Sequence, residues 1–377
     1  MNVLYISHED DKYGAAKSLQ TLFLDASQYG VTPTVLSMKK NQYNVLAEKK
    51  GIKTLAVRYY RATTNKKDSV FVFHLKRIRY LLMNRIALKS IIKLIDQNKI
   101  DIVHVNSAIL DIGILLKKKR NIKLVWHIRE FMDLDFNQKY FVKNQIQLMN
   151  EYTDMFIFIS NTIKQHWINK GINATSCVVY NGIDASLYNC DVKSCFDKQI
   201  KIAFVGSITP NKGQYQIIEA LRNVPAFLKQ KLRVDFLGTG TDEYVASLKK
   251  MITDYDLEDV FCFCGFVNDV PKRLTEYDIG VVASKAEGFG RVTVEYMLSG
   301  VFVVASNTGA NQELVKHGDT GLIFEHNNSE DLYDKLFWSF CNEEKLVEMK
   351  NKAYLWALSM FTKEQYVKNV LNVYEEI

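Results

Sequence analysis

The sequence predicts an α/β fold made of two successive parallel sheets with helices on both faces, and three observations carry that expectation. Short apolar runs of strand length alternate with longer amphipathic stretches along the chain, the pattern of parallel strands joined by crossover helices. The runs are apolar throughout, as strands buried on both faces must be. A polar stretch from Asp184 to Gln199 then interrupts the pattern, and the pattern restarts at Ile200. A chain of 377 residues is long enough for two domains of ordinary size.

The first half is taken in order. Asn2 to Ser7 is a short apolar strand, and His8 to Ala16 is a polar loop holding Gly14-Ala15-Ala16. Lys17 to Tyr29 forms a helix with Leu19, Leu22 and Phe23 on one side. Strands follow at Thr34 to Ser37 and Thr54 to Val57, then one long basic helix reaching Gln97. Asp101 to Asn106 is a strand, Ala108 to Lys118 a helix and Lys123 to His127 a strand. Met155 to Ile159 is a strand, followed by Ser160 and a helix through Lys170, and Cys177 to Tyr180 is the last strand of this half. The loops at Gly14, Asn106, His127 and Ser160 all follow strands, and ligands of such sheets bind beyond the strands' carboxyl ends.

The second half repeats the scheme. Ile200 to Val205 is a strand leading into Gly206-Ser207 and a turn that ends at Lys212-Gly213, with a helix from Gln214 to Arg222. Arg233 to Leu237 is a strand ending at Gly238-Thr239-Gly240, Tyr244 to Tyr255 a helix, and Val260 to Cys264 a strand ending in Gly265-Phe266. Helices at Ser329 to Phe340, Glu343 to Phe361 and Lys363 to Glu375 close the chain.

Composition narrows the class. The chain is 47% hydrophobic and 24% charged, a globular profile. Its six cysteines are scattered without a Cys-x-x-Cys pair, so no metal site or disulfide framework is expected and a reducing compartment fits. The opening MNVLYISHEDD reads as a strand and lacks the regions of a signal peptide. No apolar run approaches the roughly 20 residues that span a bilayer. Net charge is +7 and uneven: Lys66, Lys67, Lys76, Arg77, Arg79, Arg85, Lys89 and Lys93 face Asp68 alone. Such a surface suits an anionic partner. Ile78, Leu81, Leu82, Ile86 and Leu88 lie among these charges, as in a helix resting on lipid or in a helix covering a sheet. No nucleic-acid motif accompanies the charge.

The chemistry concentrates between Tyr277 and Gly321. Ile279 to Ala283 is a buried strand, Glu287-Gly288-Phe289-Gly290 turns the chain, Arg291 to Leu298 is a helix ended by Gly300, and Val301 to Ala305 is the next strand. Unpaired N–H groups at a helix start favour an anion, and glycines let a phosphate or sugar approach the backbone. Glu287 and Glu295 flank that turn, eight positions apart. Carboxylates there would repel a phosphate unless they face hydroxyls, so sugar or ribose hydroxyls are their natural partners.

Taken in order, YGAAKSL, DIVHVNS, VWHIRE, FISNTIKQHW, VVYNGID, FVGSITPNKGQ, FLGTG and EGFGRVTVEYMLSG, continued by SNTGANQELVKHGDTGLIF, resemble the family 4 glycosyltransferases over nearly the whole chain. One such glycine motif is weak evidence; the ordered series is specific. The resemblance implies the GT-B architecture, two Rossmann-like domains whose parallel sheets face a central cleft. It places an acceptor-side domain over 1–183, with a C-terminal helix over 362–377 packing back on it, and a nucleotide-sugar domain over 184–361. The implied reaction moves a hexosyl group, with retention, from a UDP- or GDP-linked sugar to a glycan or polyprenyl-linked acceptor in bacterial cell-surface polysaccharide synthesis. No metal or other cofactor is implied. The expected place is the cytoplasm and the inner face of an anionic membrane, without nucleic acid as partner.

The resemblance also implies roles. Lys212 would sit on the donor diphosphate and offset leaving-group charge. Glu295 would bind ribose hydroxyls and Glu287 the donor sugar ring. Gly288 and the backbone amides of Phe289, Gly290 and Arg291 would hold sugar or diphosphate. Gly14, Gly206 and Ser207 would line the donor site, and Phe266 and Val267 would border the base. His127 would lie at the reacting centre, whereas His104 reads as a packing residue. Ser207 stands where the family often has an arginine, and Arg291 is the candidate replacement for that cation. Tyr13 stands where many members have glycine. Two alternatives share the architecture: a nucleotide-sugar epimerase, against which EGFG argues, and a non-catalytic scaffold subunit, which Ser207 keeps open.

Overall fold

The computed structural model describes residues 1–7, 14–188, 190, 196 and 198–377, so Tyr13 lies outside the described residues. The chain divides into two compact units, Met1–Gly182 with Lys363–Ile377, and Ile183–Thr362.

The first unit runs β1 (Asn2–Ser7), α1 (Gly14–Asp25), β2 (Thr32–Ser37), α2 (Gln42–Lys49), β3 (Lys53–Ala56), β4 (Thr63–Asn65) and α3 (Val70–Asn98). It continues with β5 (Ile102–Asn106), α4 (Ile112–Lys117), β6 (Lys123–Ile128), α5 (Asp133–Phe136), β7 (Gln138–Tyr140), α6 (Gln145–Tyr152), β8 (Met155–Phe158), α7 (Asn161–Asn169) and β9 (Ser176–Val178). Seven strands form one parallel sheet in the order β3-β2-β1-β5-β6-β8-β9. β4 and β7 form a separate antiparallel pair, Thr63 opposite Tyr140. The apolar strand runs are buried, with Val3, Leu4, Tyr5, Ile6, Val103, Val105, Leu124 and Val125 all inaccessible to solvent, which is what double-sided coverage of a parallel sheet requires.

The second unit runs β10 (Ile200–Val205), α8 (Gln214–Leu221), α9 (Ala226–Lys229), β11 (Leu232–Leu237), α10 (Asp242–Asp254), β12 (Phe261–Gly265), α11 (Val270–Leu274) and β13 (Ile279–Val282). Then come α12 (Arg291–Leu298), β14 (Phe302–Ser306), α13 (Asn311–Leu314), β15 (Leu322–Phe324), α14 (Ser329–Cys341) and α15 (Glu343–Met360). Its six strands are parallel in the order β12-β11-β10-β13-β14-β15. The last helix, α16 (Lys363–Glu375), belongs to the first unit, where Tyr366, Val367, Val370, Leu371 and Tyr374 enter the core beside Val3, Tyr5 and Leu19. Among the described residues no helix is long and apolar enough to cross a membrane.

Two helices start three residues or more from the expected position. The helix expected over Ala108 to Lys118 starts only at Ile112. The Ala108 N–H donates to Glu130 Oε1 at 2.8 Å, and the Ile109 carbonyl accepts from the Ala62 N–H at 2.8 Å. Those backbone groups are spent on tertiary bonds, so helical pairing cannot begin there. The helix expected over Lys17 to Tyr29 begins at Gly14 and tightens to a 3-10 turn at Ala26–Tyr29 before Gly30, at φ +77°.

β10 and β13 meet over only a short register, Ile202 opposite Ile279 and Ala203 opposite Gly280. The Tyr296 hydroxyl bridges what the ladder leaves: it accepts from the Val205 N–H at 3.0 Å and donates to the Ala203 carbonyl at 3.0 Å. Gly280 makes room for it, since a Cβ there would lie 2.4 Å from the Tyr296 ring. Tyr296→Phe removes both of these bonds, and we expect a loss of about 1–3 kcal/mol in urea unfolding with little change in the denaturant slope.

Candidate active site

In the second unit the chain winds from β10 outward to β12, then returns to β13 and winds the other way. The adjacent carboxyl ends of β10 and β13 therefore mark the point where the winding reverses, the place where α/β sheets bind ligands. The loop after β10 carries Gly206, Ser207 and Lys212, and the loop after β13 carries Glu287 to Arg291.

These loops touch backbone to backbone. Gly213, at φ +77°, starts α8, and a Cβ there would lie 2.3 Å from the Ala283 carbonyl oxygen. The Lys285 N–H donates to the Asn211 carbonyl at 2.8 Å. From the other side, a Cβ on Gly309 would lie 2.2 Å from the Glu287 carbonyl oxygen, and the Ala310 N–H donates to that oxygen at 2.8 Å. Glycine is what permits this closeness and, at Gly213 and Gly309, the left-handed backbone as well.

The packing brings Lys212 and Glu287 together. Lys212 Nζ lies 2.8 Å from Glu287 Oε2, and both side chains are largely covered. Gly290, at φ +88°, caps the start of α12. One turn into the helix, Glu295 lies 3.9 Å from Arg291 Nε and close enough to the Tyr188 hydroxyl that, after burial, its charge raises the tyrosine's pKa. Phe289 turns its ring inward, 6.0 Å from Phe361, so only its backbone is available to a ligand. Gly206 is half-buried, Ser207 is exposed, and the Ser207 carbonyl accepts from Gln214 Nε2 at 3.0 Å. Phe266 is 74% exposed beside Val267 in the loop after β12, at the same carboxyl edge of the sheet.

Gly14 and His127 belong to the first unit. Gly14 begins α1, and the Ala15 carbonyl accepts from Asn106 Nδ2 at 3.3 Å. His127, expected at a reacting centre, lies fully buried in β6. Its ring is 5.3 Å from His104 and 6.2 Å from Tyr366. Arg129 donates to its Nδ1 at 3.3 Å, which leaves the ring proton on Nε2, an atom without a partner among the described residues. Within the first unit His127 sits in this buried network, with Tyr366 of α16 packed against its ring.

Among the described residues, two cysteines approach each other beside an aspartate. Asp235, Cys262 and Cys264 offer ligand atoms within 4.8 Å of one another. Asp235, however, is taken by Arg233 at 2.9 Å, Arg273 at 3.4 Å and the Tyr277 hydroxyl at 2.8 Å. Burial pushes the Cys264 thiol up to about 11. A protonated thiol beside a neutralised carboxylate is a poor cation site.

The sequence models of two families cover most of the chain. The one described as Glycosyltransferase Family 4 matches residues 36–187, and the one described as Glycosyl transferases group 1 matches residues 191–356. The chain belongs to the family 4 glycosyltransferases. This glycosyltransferase is 27% identical over 317 residues to an uncharacterised glycosyltransferase of Methanocaldococcus jannaschii, covering 81% of this chain and 83% of that one. It is 30% identical over 193 residues, 49% of this chain and 50% of the other, to a Campylobacter jejuni N-acetylgalactosaminyltransferase named for a diphospho-undecaprenol acceptor. Anabaena HepE, solved in complex with UDP, superposes with a TM-score of 0.82 at 20% identity over 100% of both chains. The fold of the transferase is GT-B.

Sequence reasoning missed two parts of the transferase. Tyr188 carries no motif and reaches Glu295 only through the fold. Arg129, beside the chosen His127, is the centre of the buried network. Its guanidinium donates to Asn106, Asn181 and, at 2.8 Å, the Tyr366 hydroxyl. Tyr374 bonds His104 Nδ1 at 2.7 Å. Burial, and then the Arg129 charge, hold His104 and His127 well below the usual histidine pKa. The folded chain keeps both neutral, while the unfolded chain protonates them below about pH 6.5. Their contribution is therefore complete above that pH and is lost as pH falls. We expect the melting temperature to drop between pH 7.5 and 5.5, and the drop to be shallower in His104→Asn. An equal slope in that variant would show that His104 does not titrate on unfolding.

Proposed function

We propose that this glycosyltransferase moves a sugar from a nucleotide diphosphate sugar, with retention at the anomeric carbon, to a glycan or lipid-linked acceptor in the making of a cell-surface polysaccharide. The observation that carries this reading is the Lys212–Glu287 pair at 2.8 Å beside the Gly290-capped start of α12. A covered lysine at an anion-favouring helix start suits a diphosphate. Glu287, displaced from the lysine by that diphosphate, is free to accept sugar hydroxyls, and Glu295 exchanges the Tyr188 hydroxyl for ribose hydroxyls. HepE, of the same fold, has been solved with UDP and with UDP-glucose.

In this reading catalysis is positioning plus charge stabilisation. Lys212 balances the charge that develops on the diphosphate as the glycosidic bond breaks. Arg291 supplies part of the cation absent at Ser207. A phosphate oxygen of the donor accepts the acceptor's proton, and no carboxylate is called on as nucleophile. With protein cations in that role the reaction needs no metal, so a chelator leaves turnover unchanged.

The name of the Campylobacter jejuni relative supports a lipid-borne acceptor. So does α3, which has two apolar faces. Tyr80, Ala87, Ile91 and Ile95 are buried, while Phe71, Leu75, Ile78, Leu82 and Ile86 are exposed, from 56% to 77%. Arg85, Lys89 and Lys93 continue or border the outer stripe, as suits a helix lying at an anionic membrane surface.

Three measurements test the reading. Nucleotide release from a panel of UDP- and GDP-sugars by the purified chain should be detectable, and Lys212→Ala should lower it roughly 100-fold or more. Glu295→Ala should weaken binding of the free nucleotide diphosphate about tenfold or more in calorimetry. Nucleotide binding without release would favour the scaffold reading instead.

A further inference from the structure

A cavity of about 950 Å³ in the first unit shares no lining residue with the candidate donor site. Its wall holds Lys39, Arg58, Arg61, Lys76 and Arg79, together with Tyr60, Tyr80 and Phe141. The floor is built and fixed. Tyr80 stacks on Phe141 at 5.3 Å, and its hydroxyl donates to the buried Asp111 carboxylate. Asn84, on the buried face of α3, accepts from the Tyr60 N–H at 2.7 Å and donates to its carbonyl at 3.2 Å. Tyr60 in turn orders the cations: Arg79 lies 4.9 Å and Arg58 5.6 Å from its ring centre, and Arg79 Nε donates to its hydroxyl at 2.8 Å.

The charges of this cavity are poorly balanced. Lys76 is paired with Asp68 at 2.7 Å. Among the described residues no carboxylate pairs with Arg58, Arg61 or Arg79. A sugar site would present carboxylates or amides to hydroxyls; here the convergent groups are guanidinium donors, which match phosphate oxygens. Arg79, Lys76 and Tyr80 come from α3. Phe71, Leu75, Ile78 and Leu82 on the same stretch of that helix are exposed, so an apolar chain leaving the cavity meets apolar surface at once.

We propose that this cavity holds the diphosphate of an isoprenoid-linked acceptor, with Arg58, Arg61 and Arg79 on the phosphate oxygens and the tail lying along the outer stripe of α3. The proposal rests on the transferase reading for its biological sense, but the site can be tested without turnover.

Farnesyl diphosphate, inorganic pyrophosphate and farnesol are titrated into the full chain by calorimetry. Farnesyl diphosphate should bind at least tenfold more tightly than pyrophosphate, farnesol should give no heat, and added salt should weaken the diphosphate. The double variant R58A/R61A, both positions being exposed, should lose at least tenfold in farnesyl diphosphate affinity. Glu295→Ala should keep that affinity while binding the nucleotide diphosphate, UDP or GDP, about tenfold or more weakly, which separates this site from the donor site. Equal binding by wild type and R58A/R61A, or none by wild type, overturns the site. Equal affinity for pyrophosphate and farnesyl diphosphate overturns its lipid-borne ligand. Absence of both UDP and GDP binding in a preparation that binds farnesyl diphosphate would sink the transferase reading and leave the cavity standing.

Discussion

The candidate active site depends on a close approach of backbone to backbone. Around the carboxyl ends of β10 and β13, glycines in the loops after β10, β11 and β14 lie where a Cβ would strike the neighbouring backbone. Gly213 meets the carbonyl of Ala283, Gly238 would put a Cβ 1.9 Å from the carbonyl oxygen of Gly206, and Gly309 closes on Glu287. Any side chain at these points would push the loops apart by more than the contacts could absorb. Because they stay together, a lysine from one loop and a glutamate from the other share a covered spot at the start of a helix. The arrangement of charge is a consequence of the packing, and the chemistry is a consequence of the charge.

The two units handle buried charge differently. In the second, Lys212 is paired with the Glu287 carboxylate. In the first, the Arg129 guanidinium has only neutral partners among the described residues: amide oxygens, a tyrosine hydroxyl and an imidazole. A buried cation without a counter-ion is costly unless it is fully hydrogen-bonded, and those bonds come from β5, α16 and the segment after β9. They add to the apolar contacts of the last helix with the first unit, and the Arg129 charge adds to burial in keeping both neighbouring histidines uncharged.

Much of this was legible in the residues. The parallel α/β class follows from apolar runs at strand length, and the GT-B family follows from ordered motifs. The strand Ile200–Val205 and the helices at Arg291–Leu298 and Lys363–Glu375 have the bounds their patterns predict, and Gly206 and Gly300 stop the first two. The short β4 and β7 were not legible, because three residues carry no period. The delayed start of α4 was hidden for a different reason: it depends on Glu130 and Ala62, partners remote in sequence. At the site, glycines and glutamates announce themselves by type and spacing. The pairing of Lys212 with Glu287, 75 positions apart, and of Tyr188 with Glu295 are properties of the fold. The burial of His127 was illegible for the same reason, since the ring that covers it comes from the far end of the chain.

The most direct measurement is a crystal structure of the chain with a nucleotide diphosphate bound. The account predicts the diphosphate at the start of α12, a phosphate oxygen about 3 Å from Lys212 Nζ, the ribose on Glu295, and Glu287 released from the lysine. A nucleotide bound elsewhere, with Lys212 still closed on Glu287, would contradict it.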